Sequence, residues 1–149
     1  MPDIIKFYLS EEAILENVKT YKCFDLKDRN YVLKNLNKLV VKEVHGSGGY
    51  GMLIGNAASK TKIENFKRKI KSNPGNFIAQ PIISLSSVPI FSKNILSPRH
   101  VDLRPYCLIS NKKITLVSGA LTRVALKENS LVVNSSQGGG VKDTWILAE

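Results

Sequence analysis

Cysteine is scarce in this chain of 149 residues: only Cys23 and Cys107 occur, far apart and outside any C-x-x-C pair. A disulfide framework, a zinc knuckle and a dithiol redox motif are thereby excluded, and both cysteines read as reduced thiols. Cys107 lies in the apolar run Tyr106 to Ile109, where it reads as a small hydrophobe rather than a nucleophile. Aromatic residues make up only 7%, with a single Trp, so no aromatic platform for stacking bases stands among the lysines. No apolar run approaches the ~20 residues that cross a bilayer, and Met1 to Ser10 lacks the basic, apolar and small-residue order of a secretory leader. A soluble, cytoplasmic protein with no membrane partner is the expectation. Acidic residues are few as well, 12 against 22 Lys and Arg, leaving a net charge of +10 and pointing to an anionic partner. With 43% hydrophobic residues, the length suits one domain as a default.

What is present is organised in three stretches, 1–38, 39–80 and 81–149. In the first, Met1 to Thr20 suggests a helical turn capped by Ser10 and then an irregular connection. Asp25 to Lys38 carries Leu26, Leu33 and Leu36 at helical spacing, with Asp25 and Asp28 where the helix macrodipole favours acids. In the second, the β-branched run Lys38 to Val44 reads as a strand, followed by a burst of glycine and a return strand at Met52 to Ile54. A helix from Ser59 to Lys71 has Ile63, Phe66 and Ile70 on one face and Lys60, Lys62, Lys67, Arg68, Lys69 and Lys71 elsewhere. In the third, strands are expected at Phe77 to Gln80, Val88 to Phe91, His100 to Ile109, Ile114 to Ser118, Leu121 to Leu126 and Leu131 to Asn134. The fold class is α+β, a mainly antiparallel sheet with two or three helices.

Three features carry chemistry. Lys42 precedes the glycine-rich turn Gly46-Ser47-Gly48-Gly49-Tyr50-Gly51, a pattern that can cradle phosphate through backbone N–H groups and one point charge. It is neither a Walker A loop nor a dinucleotide fingerprint, and taken alone it is more often a flexible hairpin turn. A second run, Gly138-Gly139-Gly140, follows Asn134, Ser135, Ser136 and Gln137; the two loops could meet a polyphosphate from two sides or be unrelated. Between them, alternation puts His100, Asp102 and Arg104 on one strand face, with Val101 and Leu103 on the other. Arg123, a lone cation in an apolar strand, can grip phosphate or carboxylate bidentately, or an Asp102 pair with Arg104 or Arg123 can simply hold the sheet.

Val40-Val41-Lys42 with Gly46 to Met52, then Ile78-Ala79-Gln80-Pro81, Pro98 to Pro105, Leu121 to Leu126, and Val133 to Gly140 with Lys142-Asp143-Thr144-Trp145 resemble the circularly permuted type 2 ATP-grasp family. These motifs stand in the family's order and span nearly the whole chain. The resemblance implies an ATP-grasp-like fold and a carboxylate–amine ligase related to glutathionylspermidine synthetase, in which an acyl phosphate forms from ATP and an amine displaces the phosphate. By position, Lys42 resembles the lysine on the α and β phosphates, and Gly46 to Gly51 the loop closing over them. Gln80, Pro81 and Ile82 resemble the hinge whose backbone reads adenine. Arg104 and Arg123 resemble the cations meeting the γ-phosphate and the acyl intermediate, and Asn134 with Gly138, Gly139 and Gly140 the loop at that end.

Glu43 and Ala120 depart from the pattern, standing where proline and glycine are expected. The family's Mg²⁺ ligands, an aspartate and a Glu-x-Asn pair, belong to a segment placed ahead of these motifs, and neither Glu11-Glu12 nor Asp102 suits as a substitute. The expectation is therefore the C-terminal, ATP-binding portion of such a ligase, incomplete alone and either truncated, split or complemented by a second chain carrying the other half. The alternatives are a small basic nucleic-acid-binding module, motivated by the cationic helix, and a non-catalytic interaction protein.

Overall fold

The computed structural model describes residues 1–46, 50–92, 94–111, 113–134 and 139–146. Its chain divides into two compact units, the first formed by Met1–Gly46 with Tyr50–Ile82 and the second beginning at Ile83.

The first unit opens with helix α1, Pro2–Leu9, whose proline sits in the first turn, where the missing N–H costs nothing. Ser10 ends this helix instead of starting one: it adopts a left-handed φ of 54° and its N–H reaches the Lys6 carbonyl. The expected capping role is thus corrected to a C-terminal one, since proline at the second residue lets the helix begin earlier. Strand β1, Tyr21–Lys22, was not anticipated, because two residues show no periodicity. Helix α2, Leu26–Asn35, follows with Asp25 as its N-cap, the carboxylate accepting the Asp28 N–H at 2.9 Å. A 3-10 turn leads into β2, Leu39–Glu43. Strand β3, Leu53–Ile54, returns antiparallel to β2 as expected.

Helix α3, Lys60–Ser72, has Ser59 as its cap and buries Phe66 and Ile70. Strand β4, Phe77–Pro81, lies between β1 and β2, giving the antiparallel order β1-β4-β2-β3. The core of this unit is built from alternate residues of the central strands, Leu39 and Val41 from β2 and Phe77 and Ala79 from β4, against Leu36 and Ile70 from the helical layer. Burying these side chains, at ~25 cal/mol per Å² of apolar area, is the main favourable term holding the unit.

The second unit is a four-stranded antiparallel sheet in the order β5-β6-β7-β8, comprising Ser86–Ser92, Ile95–Ile109, Ile114–Val124 and Gly140–Thr144. The expected strands at Ile114 to Ser118 and Leu121 to Leu126 are one continuous strand, running through Gly119 at φ 129°. Leu131 to Asn134 forms no strand. There the Ser130 hydroxyl accepts the Val132 N–H at 3.1 Å and Asn134's carbonyl accepts the Gly139 N–H at 3.1 Å, so local bonds take the groups a ladder would use. Two antiparallel sheets and three α-helices among the described residues make an α+β fold.

Candidate functional site

Strand alternation decides which side chains leave the core. In β2, Leu39 and Val41 are buried while Val40 and Lys42 are half-buried; in β4, Phe77 and Ala79 are buried while Ile78 and Gln80 are half-buried. The register places Lys42 opposite Ile78 and Val40 opposite Gln80, so Lys42 and Gln80 are diagonal neighbours on the outer face, within reach of long side chains. The Lys42 ammonium donates to Gln80 Oε1 at 2.7 Å. Gln80 Nε2 donates to Thr20 Oγ1 at 2.9 Å, and that hydroxyl donates to the Val18 carbonyl at 3.1 Å. Thr20 had no signal in the sequence, since it lies in an irregular segment beside a two-residue strand.

The glycine turn leaves β2 directly after this lysine. Glu43, the departure from the family pattern, continues the ladder opposite Phe77, and its carbonyl accepts the Gly46 N–H at 3.2 Å. Gly51 sits at φ 70°, which favours glycine, and a Cβ there would lie 3.5 Å from the Glu43 carboxylate. Ser47, Gly48 and Gly49 lie outside the described residues. Tyr50 is exposed, and Pro81 ends β4 opposite Leu39. Ile82 donates its N–H to the Lys38 carbonyl at 3.3 Å and is the last residue of the first unit.

In the second unit Asp102 and Arg123 stand directly opposite on β6 and β7. Arg123 Nε donates to Asp102 Oδ1 at 2.8 Å, and Nη2 pairs with Oδ2, a bidentate clasp. The Asp102 hydrogen bond holds the Arg123 guanidinium above its already high pKa. Of the two roles open to Arg123, the ion pair that holds the sheet is therefore the one seen. Arg104 lies opposite Leu121, is exposed, and makes no ion pair among the described residues. His100 on the same strand places Nδ1 3.2 Å from the Leu85 carbonyl. Leu103 is exposed while Val101 is buried, so the expected apolar face is covered at one end only.

Asn134 is half-buried and is bridged to Gly139 through its carbonyl. A Cβ on Gly139 would fall 2.5 Å from the Val133 carbonyl oxygen, which no side chain tolerates, so this glycine is demanded by close packing. Gly140 opens β8 opposite Val124. Ser135, Ser136, Gln137 and Gly138 lie outside the described residues. The structure thus joins Lys42 to Gln80 in one unit and Asn134 to Gly139 in the other, while Arg123 is joined to Asp102 and not to Arg104.

The cysteines divide. Cys23 is fully buried and its thiol is pushed up to about 11, by burial first and by the Asp28 carboxylate second. Cys107, read as a small hydrophobe, is exposed: it lies in the part of β6 beyond the pairing with β5, where among the described residues β7 is the strand that pairs with it. Among the described residues no three His, Cys, Asp or Glu side chains come together to hold a metal ion, and no helix is long and apolar enough to cross a membrane.

Comparison with known proteins adds a family and a measure of scale. The model of the circularly permuted ATP-grasp type 2 family matches residues 1–125. An uncharacterised protein of Synechocystis sp. is 53% identical over 147 residues, covering 99% of this chain and 31% of its own length. An uncharacterised protein of Mycobacterium tuberculosis is 47% identical over 148 residues, 99% of this chain and 27% of the relative. A Frankia casuarinae protein with a provisional glutamate–cysteine ligase name is 42% identical over 146 residues, 98% of this chain and 17% of the relative. The chain spans a third or less of the length of these relatives.

Proposed function

Since this chain belongs to the circularly permuted ATP-grasp type 2 family, we propose that it is the ATP-binding portion of a carboxylate–amine ligase, with Lys42 as its central phosphate contact. The observation that carries this reading is Lys42 itself. Lys42 is half-buried on the outer sheet face, on the strand that runs into the glycine turn, and its one described partner, Gln80, is neutral. A cation held by a neutral acceptor keeps its full charge for a polyanion, and glycine N–H groups add donors without steric cost.

Gln80, Pro81 and Ile82 support a hinge role, because the boundary between the two units falls directly after Ile82. Arg104, exposed on β6, is the candidate cation for a γ-phosphate or acyl phosphate, where fixed positive charge would stabilise phosphoryl transfer to a carboxylate. Arg123 enters the same role only by leaving or sharing Asp102. Asn134 and Gly138 to Gly140 are assigned to the loop at that end. Among the described residues no three His, Cys, Asp or Glu side chains come together, and a nucleotide-bound Mg²⁺ takes one or two carboxylates besides the phosphates. Its ligands, the acyl and amine pockets and a complementing chain or segment belong, in this reading, to the larger share of the relatives' length.

Calorimetry of the 149-residue chain with ATP tests the reading. Measurable heat that Lys42→Ala removes is expected; a titration without heat, or one indifferent to Lys42→Ala, refutes it. Incubated with ATP, Mg²⁺ and an amine, the chain alone is expected to release no ADP above background, and robust release would overturn its incompleteness.

A further inference from the structure

The chain of hydrogen bonds leaving Lys42 has a fixed direction. The Thr20 hydroxyl has one proton, and it points to the Val18 carbonyl at 3.1 Å. Oγ1 can then only accept from Gln80, at 2.9 Å, which requires the Gln80 amide nitrogen on that side. The amide oxygen is left facing Lys42, 2.7 Å from Nζ. Each bond sets the polarity of the next, from Val18 outward to the ammonium.

We propose that Gln80, oriented by Thr20, is a positioning residue that aims Lys42 while leaving its charge uncompensated for a polyphosphate. This rests on the reading of Lys42 as the phosphate contact and assigns the Gln80 side chain a task separate from any backbone contact at the hinge. The choice of amide over carboxylate is the core of the idea. A glutamate of the same shape would hold Lys42 equally well but would pair with it as an ion, and incoming phosphates would have to displace a carboxylate that also repels them.

The test compares Gln80→Glu, Gln80→Ala, Thr20→Val and Thr20→Ser, all titrated with ATP by calorimetry. Gln80→Glu is expected to bind about tenfold more weakly than the unaltered chain, and more weakly than Gln80→Ala, because an introduced charge acts where a lost contact does not. A merely structural role gives the opposite order, since the isosteric glutamate preserves packing and alanine does not. Thr20→Val, which cannot accept from Gln80, is expected to lose affinity, and Thr20→Ser to restore it. If Lys42→Ala abolishes binding while Gln80→Glu binds like the unaltered chain, the positioning role is overturned and the ATP reading stands.

A readout without nucleotide separates the two ideas. The ¹⁵N-detected ammonium signal of Lys42 is expected to be slowed in proton exchange in the unaltered chain and to broaden away in Gln80→Ala and Thr20→Val. If ATP fails to bind but this signal behaves as expected, the functional reading falls and the positioning of Lys42 survives. A signal indifferent to both substitutions overturns the positioning.

Discussion

Burial sets the chemistry of individual residues here more firmly than composition does. Cys23 and Cys107 look alike as isolated thiols in the sequence, yet one is enclosed by the first unit's core and the other stands on an open strand. At pH 8 a thiol-specific chromogenic reagent is expected to modify Cys107 readily in the folded chain and Cys23 only after unfolding; rapid reaction of both would contradict the packing. The pH dependence follows from the sign of the shift. Folding raises the Cys23 thiol from 9.0 to about 11, so between those values the folded state keeps a proton that the unfolded state has released. Stability contributed by this group is complete below about pH 9 and declines as pH rises towards 11. Urea midpoints at pH 8 and pH 10 are expected to differ less in Cys23→Ala than in the unaltered chain, because the variant lacks this titration. Arg123 shows the same principle for charge. A lone cation between apolar neighbours invites a ligand, but a carboxylate directly across the ladder takes it first.

Helices α2 and α3 were legible because their signals are redundant. In α3, Ser59 caps the first turn by accepting the Lys62 N–H at 3.2 Å, and Phe66 and Ile70 recur at the spacing that meets the sheet. Ser59→Ala is expected to cost about 1 kcal/mol in urea unfolding, with Ser59→Asp retaining most of the stability; an unchanged midpoint in the alanine variant would show that packing alone sets the helix start. The six cations on α3 are partly spoken for within the helix: Lys67 bonds Glu64 at 2.6 Å, Arg68 bonds Asn65, and Lys69 lies over the Phe66 ring. Strands were less legible, and the reasons are physical. The pairing of β1 with β4 joins Tyr21 to Ala79 and Lys22 to Ile78, far apart in the chain, a tertiary fact that no local period encodes. Leu131 to Asn134 has strand composition, yet a serine hydroxyl and a close glycine backbone satisfy its polar groups locally. Of the candidate site, the place of Lys42 on a strand before the glycines was legible, and its diagonal position to Gln80 follows once the register is known. Thr20 and the Asp102 clasp depend on side-chain geometry that spacing leaves open.

Across the whole molecule the two units differ in how much apolar surface they enclose. The first buries a continuous cluster under two helices, whereas the second has Val101, Val124, Ala125 and Val133 as its buried residues and leaves the far half of β6 and β7 uncovered. There β5 and β8 no longer flank the pair: β5 stops pairing at Val101 and β8 at Ala120. Cys107 faces Leu116 and Ile109 faces Ile114 across the ladder, so these four apolar side chains share one face of the ribbon's end. Ile109, Ile114 and Leu116 are 78%, 70% and 69% exposed. A ribbon end with apolar side chains on one face and two open edges is a template for association. The chain spans a third or less of its relatives' length, and in the reading proposed above the remaining share supplies the cover. Without that cover, the 149-residue chain is expected to self-associate with rising concentration despite its charge of +10. Replacing Leu116 by Lys sets like charge on the face and is expected to return the chain to a monomer in sedimentation velocity, with its urea midpoint unchanged because Leu116 contributes little to any core. A chain that stays monomeric at high concentration before substitution would show that charge repulsion outweighs the exposed ribbon.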